Sequence, residues 1–218
     1  MNKARICLLL SKGRIYPRAE FDDEKWLLEA HNQLQQARLP PVDSSPAESK
    51  SMVSQWNILR ACYSMRVRWE ILGLRRAHLY PAMLVKMVPF QPSDLEEDTR
   101  FPWFLSVEVK RRLSEIFLAL VDLSLITYPL CHILMGPKLY LGWLGEPRKL
   151  SIMGELEECE GLLAQWQTNH TQLLLTSSDP PKSDPSYYSL LAIFANLRLT
   201  YEYLTSTLHQ ISLCSERP

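Results

Sequence analysis

Glycine is scarce in this chain, with seven residues against fifteen prolines in a length of 218. Glycine-rich phosphate loops and closely spaced hairpins need more glycine, so the composition disfavours both. An excess of either charge is also lacking, because Lys plus Arg and Asp plus Glu each total 24 and the formal net charge is zero. A dedicated nucleic-acid binder usually shows a basic excess, so we expect no direct binding of nucleic acid.

Cysteine is present but unclustered. The number of cysteines is odd, at five, they are widely separated, and no Cys-x-x-Cys motif occurs. A disulfide framework normally has an even number of cysteines, and a zinc site needs clustered ligands. We therefore expect reduced, buried thiols in an intracellular protein, with no metal and no cofactor. The five are Cys7, Cys62, Cys131, Cys159 and Cys214.

Two apolar stretches resemble targeting or membrane segments. The first, 6–10, is shorter than the roughly 7–15 residues of a signal-peptide core, so we interpret it as a buried strand or a short helix. The second, 116–135, has about the length of a membrane span, but it contains Asp122 and Pro129 and continues a helical stripe. We interpret it as a buried core helix, and we expect no association with a membrane.

Apolar residues recur at spacings of three and four over most of the chain, as they do in amphipathic helices. No alternating run is long enough to build a sheet, with 6–16 as the one potential exception. The predicted helices cover 22–39, 45–77, 106–129, 152–173 and 190–211. The sequence therefore predicts an all-α fold: a single-domain bundle of about five to seven helices.

The last two predicted helices carry the most regular apolar stripes, and a polar turn with prolines at 176–185 separates them. We expect them to form a long antiparallel pair with Trp166 and Phe194 buried. Residues 1–50 are interpreted as an N-terminal segment with one helix and a linker. Residues 51–218 are interpreted as a helical regulatory or interaction domain.

Two polar features of the helices give specific expectations. Arg60, Ser64 and Arg68 lie off the apolar stripe of their helix, which predicts a solvated or partner-facing side. Asp122 lies in the most apolar stretch, where a buried carboxylate needs a partner. We expect that partner among the arginines of 60–76.

Residues with catalytic spacing are few. No G-x-S-x-G, G-x-G-x-x-G, P-loop or H-E-x-x-H motif occurs, and the five histidines lie far apart. His170 falls within an apolar stripe and is interpreted as a hydrogen-bonded core residue. The sharpest alternative is the acidic segment 94–98, since paired carboxylates can hold Mg²⁺ for a diphosphate substrate. That alternative is a small helical enzyme of the isoprenoid type, but a solvated acidic loop is the favoured interpretation and we expect no enzyme.

A surface for a protein partner is the favoured functional hypothesis. The loop 139–143 combines Tyr140 and Trp143 with glycine, and these aromatic types dominate binding hot spots. The alternative is that both rings cover one end of the bundle. The candidate partner-binding residues are Tyr140, Trp143, Asp94, Glu96, Glu97 and Asp98.

Four segments in order are similar to the all-helical middle regulatory region of fungal zinc-cluster transcription factors. Residues 60–76 resemble a helix that ends in a Leu-Gly-Leu-His-Arg-like turn, with Arg75 in place of the histidine. Residues 108–122 resemble a Glu-x-x-Arg-Arg signature, although Ser114-Glu115 stand where tryptophan is usual. Residues 156–174 and 187–210 resemble two later helices, with Gln210 in place of arginine.

The resemblance implies a transcription-regulatory helical domain in the nucleus. The family's six-cysteine zinc cluster, which reads DNA, has no counterpart in this sequence. The resemblance therefore implies action through a protein partner or a homo-oligomer. The alternative is a cytoplasmic helical scaffold or adaptor subunit.

Overall fold

The computed structural model describes residues 2–10, 22–36, 46–74, 91–95, 105–135, 146–175 and 185–215, and they are helical almost throughout. These residues form seven α-helices and one 3₁₀ helix. The helices are α1 (Asn2–Leu10), α2 (Asp22–Gln35), α3 (Pro46–Leu74), the 3₁₀ helix Pro92–Leu95, α4 (Val107–Met135), α5 (Glu146–Asn169), α6 (Thr171–Leu175) and α7 (Pro185–Ser215). The predicted all-α, single-domain bundle is confirmed.

The helix bounds differ from the sequence expectations at three places. The apolar run near the N-terminus is a helix, so the first 50 residues contain two helices rather than one. Pro129, which we expected to end or kink its helix, lies inside α4, so an end at this proline is wrong. Proline leaves the carbonyl of residue i−4 without its donor, here that of Leu125, whose side chain is 39% exposed. That side of α4 is open to solvent, and the helix continues.

The third difference is at His170, where α5 gives way to the short α6. The backbone ladder nevertheless continues through this point, since His170 N donates to Trp166 O at 3.0 Å and Leu174 N donates to His170 O at 3.1 Å. The two helices therefore form one continuous rod, joined by these backbone hydrogen bonds. α7 folds back against this rod, which confirms the predicted C-terminal pair.

α4 is the central helix of the bundle, because α3, α5 and α7 all pack on it. It runs antiparallel to α5. Trp166 Nε1 donates to Ala119 O at 3.0 Å, and the Cys159 thiol donates to Ile126 O at 3.7 Å. The residue numbers therefore rise along α4 where they fall along α5. α1 and α2 pack mainly on each other and cover part of α3.

α3 is buried on two sides rather than one. The middle of its predicted apolar stripe is buried, from Leu59 to Ile71, and the Tyr63 hydroxyl in that stripe lies 3.0 Å from Nδ1 of His31 on α2. The second buried side faces α4 and includes Ser64 and Arg68, so the prediction of a solvated side is wrong for these two residues. Arg60 is exposed, as expected.

Arg68 is only 1% exposed and joins α3 to α4. Its Nη1 donates to Ser124 O at 2.9 Å and to Ser124 Oγ at 3.0 Å, and its guanidinium lies 5.3 Å from the centre of the Tyr128 ring. These contacts let an arginine replace an apolar residue in the core, since its stem packs while its charge meets oxygen and an aromatic face. Burial lowers the pKa of Arg68 from its ordinary value.

The expectation for Asp122 is wrong. Its side chain is 57% exposed, and its Oδ2 lies 3.7 Å from Nε2 of His170 rather than beside an arginine. Successive residues on a helix are 100° apart, so Asp122 and Ser124 point to nearly opposite sides. The neutral Ser124, not the acid, faces Arg68.

The regular stripe of α5 is confirmed as core. The residues buried there are Leu156, Cys159, Leu163 and Trp166. On α7 the corresponding residues Leu190, Leu197, Leu204, Leu208 and Ile211 are buried as well. Phe194 is only partly buried, so that part of the prediction is wrong.

Candidate functional site

An open groove of about 490 Å³ lies among the described residues. Its floor is the first half of α4, and the 3₁₀ helix and α7 form its walls. Six of its lining side chains are apolar: Leu95, Leu113, Ile116, Phe117, Leu120 and Ile193. The polar rim consists of Lys110 and Ser114, which lie one turn apart on α4. A groove with this lining suits apolar side chains of a ligand or a partner.

The 3₁₀ helix is fixed in place by Asp94. The side-chain amide of Asn57 on α3 donates to both carboxylate oxygens, at 3.3 and 3.4 Å. The backbone N of Gln91 donates to Oδ2 at 3.1 Å, and Asp94 N donates to Gln91 O at 2.9 Å. Asp94 therefore links the 3₁₀ helix to α3. Because the 3₁₀ helix is fixed in this way, Leu95 stays in the wall of the groove beside α4.

The first turns of α4 are held by a helix cap and by surface ion pairs. Ser106 Oγ accepts from Val109 N at 3.2 Å, which caps the helix. Arg111 binds Glu108 with two nitrogens, at 3.1 and 2.7 Å, and Arg112 Nη1 donates to Glu115 Oε2 at 3.2 Å. These surface pairs lie on the first turns of α4 beside the groove but include none of its lining residues, and each adds only about 0.2–1 kcal/mol of stability.

Of the six candidate partner-binding residues, only Asp94 belongs to the described part of the chain. Tyr140, Trp143, Glu96, Glu97 and Asp98 lie outside it, so their prediction stays a prediction.

The groove itself was missed from the sequence. Its signal is the breadth of the apolar surface of α4: Leu113 belongs to the predicted stripe, and Phe117 falls beside that stripe and is partly buried. A groove arises where two neighbours of α4 diverge, and a linear pattern contains no information about that divergence.

Groups suited to catalysis are dispersed in the described residues. No group of three or more His, Cys, Asp or Glu side chains is positioned there to hold a metal ion. Burial raises the pKa of Cys131 to about 12 and that of Cys159 to about 11, which leaves both thiols protonated and unreactive near neutral pH.

His170, interpreted from the sequence as a hydrogen-bonded core residue, lies between α5 and α6 and faces Asp122 of α4. Its ring lies 4.9 Å from that of Trp166, and Trp166 stacks at 5.3 Å on Tyr201 of α7. Partial burial lowers the pKa of His170, and Asp122 offsets part of that effect. Burial raises the pKa of Asp122, which His170 offsets in turn. This arrangement favours a neutral imidazole that joins α4, α5 and α7.

α4 is also the one described helix that is long and apolar enough to cross a membrane, over Val107–Cys131 with a mean hydropathy of 1.6. Three neighbouring helices pack on it, as expected of a core helix. A core helix and a membrane span share this composition, so hydropathy alone does not distinguish them.

The chain was compared with family models, curated proteins and solved structures. No family model matches it, and neither does a curated protein or a solved structure.

Proposed function

We propose that this chain is a helical regulatory domain that works through protein contacts, with the groove on α4 as its docking site. The observation that supports the proposal is the preformed apolar lining between the 3₁₀ helix, α4 and α7. Apolar side chains from a partner gain about 25 cal/mol for each Å² removed from water, so a groove of this size can anchor a partner helix or loop.

The resemblance of 60–76, 108–122, 156–174 and 187–210 to zinc-cluster transcription factors supports transcription as the regulated process. In that role the chain acts in the nucleus and depends on a partner for DNA contact, or on a second copy of itself. The cytoplasmic scaffold remains the alternative, because it uses the same groove for a different partner.

The docking site is tested by filling the groove. Ser114→Phe places a ring at the rim and removes only a hydroxyl whose bond is to Lys110 O within the same helix. Thr168→Phe is the matched control, because Thr168 makes the same kind of bond to Ala164 O and is exposed on α5. Circular dichroism and thermal unfolding establish that both variants fold.

The readout is a reporter gene to which the chain is tethered through a heterologous DNA-binding module. We expect the wild type and Thr168→Phe to change transcription equally and Ser114→Phe to return it to the level of the module alone. An unchanged reporter with the wild type contradicts the regulatory function. Equal output from both variants contradicts the groove as its site. Exclusion of a tagged chain from the nucleus favours the scaffold.

A further inference from the structure

In the described residues the α1–α2 pair meets α3 through two polar side-chain contacts, a surface bond from Arg5 Nη2 to Gln55 Oε1 at 3.3 Å and a ring contact between His31 and Tyr63. Nδ1 of His31 on α2 lies 3.0 Å from the hydroxyl of Tyr63 on α3, and the ring centres are 5.6 Å apart. Tyr63 is only 4% exposed, and His31 is partly buried. Leu27, Ala30 and Leu34 form the rest of the buried side of α2. The imidazole therefore lies at the edge of an apolar interface.

Among the charged groups around this interface, Arg5 reaches across it to the neutral Gln55 on α3, and no ion pair of the described residues includes His31. Lys3 on α1 pairs with Glu29 on α2 at 2.6 Å, and Arg66 pairs with Glu70 within α3. Burial lowers the pKa of His31, and no charge on the described residues offsets that effect. The titratable and charged residues with described side chains on the elements packed here are Lys3, Arg5 and Cys7 on α1, Lys25 and Glu29 on α2, and Lys50, Arg60, Cys62, Tyr63, Arg66, Arg68 and Glu70 on α3.

Protonation of His31 places a positive charge beside a neutral phenol and apolar side chains. Burial of the site makes the protonated imidazole less stable in the docked state than in the undocked state, where water solvates it. From this geometry we propose that the His31–Tyr63 contact is an acid-sensitive clasp that holds the α1–α2 pair on α3. This device is independent of the groove, and it regulates whether the N-terminal pair is docked.

Release has a measurable consequence, because α1 and α2 are 9 and 14 residues long. Isolated helices shorter than about 12–15 residues are marginal in water, so an undocked pair loses its protected amides. Hydrogen exchange with mass spectrometry on the full chain reports this loss as lower protection factors in 2–10 and 22–36, after correction for the intrinsic pH dependence of exchange.

The experiment compares about pH 7.5 with about pH 5.5, on either side of the ordinary histidine range. We expect protection in α1 and α2 to fall by up to about tenfold for each unit by which the folded-state pKa lies below the unfolded one. Protection in the seam of α5 changes with pH through His170, and His31→Gln leaves that part of the profile as in the wild type. His31→Gln keeps a polar partner for Tyr63 but does not titrate, so its α1–α2 protection no longer varies with pH.

The control is His209→Gln, which removes an exposed imidazole on α7 and retains the wild-type profile. Tyr63→Phe provides a second test, with α1–α2 protection already reduced at about pH 7.5. An identical pH profile in wild type and His31→Gln overturns the proposal. So does a wild-type profile in which α1 and α2 remain fully protected at about pH 5.5.

Discussion

α4 and α5 are antiparallel neighbours that differ in how much of their surface the bundle covers. Three helices pack on α4, whereas α5 is buried along a single seam and exposed over most of its circumference. The apolar residues of α5 therefore repeat at strict spacings of three and four, and its outer side holds two glycines. α4 has apolar residues on several sides, so its pattern resembles that of a membrane span. A seam covered by one layer is easy to recognise in a sequence, and a central helix is not.

The largest loss of stability is expected from substitutions of buried leucines on α5 and α7. Leu163→Ala and Leu197→Ala each remove a buried side chain, and each is expected to lower the free energy of unfolding by about 2–5 kcal/mol. Urea denaturation gives the value. Leu162→Ala and Leu199→Ala, one or two residues away and exposed, are the controls and should change it by about 0.5 kcal/mol or less. Similar losses in both sets would mean that the seam is not the buried side.

A smaller loss of unfolding free energy is expected when the contact of Arg68 on α3 with Ser124 on the central helix α4 is removed. Arg68→Met preserves most of the stem but leaves Ser124 Oγ without its donor, which costs about 1–3 kcal/mol. Arg60→Met, on the exposed side of α3, is the matched control. Denaturant unfolding of both variants compares them, and a stabilised Arg68→Met would show that the buried guanidinium costs more than its contacts return.

A gain in stability is expected on the outer side of α5. No heavy atom outside the local helix lies within 4 Å of a Cβ built at Gly154 or Gly161. Alanine there fits without strain and reduces the conformational entropy of the unfolded chain, so each substitution should stabilise by about 0.4–1 kcal/mol. Thermal unfolding measures the gain. A loss instead would indicate that another surface packs closely on these glycines.

The smallest effect is expected from His170, between the two helices. Because partial burial lowers its pKa from 6.5, the unfolded chain binds the proton more readily than the folded chain. Its contribution to stability is therefore complete above about pH 6.5 and is lost as the pH falls through the lower, folded-state value. Unfolding free energies of wild type and His170→Gln across this range should diverge above about pH 6 and converge below it. A constant difference would show that the ring acts only through packing on Trp166.

The sequence by itself determined the fold class and the buried faces of α5 and α7, because an amphipathic helix with one covered side has a periodic pattern. The tertiary structure decided which polar residues are buried. Arg68 is in the core and Asp122 is exposed because α4 turns Ser124, not the acid, toward α3. It decided the groove as well, since a concavity depends on the distance between α7 and the 3₁₀ helix across α4. Periodicity specifies which side of a helix is apolar, whereas the neighbour that covers each side depends on how the helices pack together.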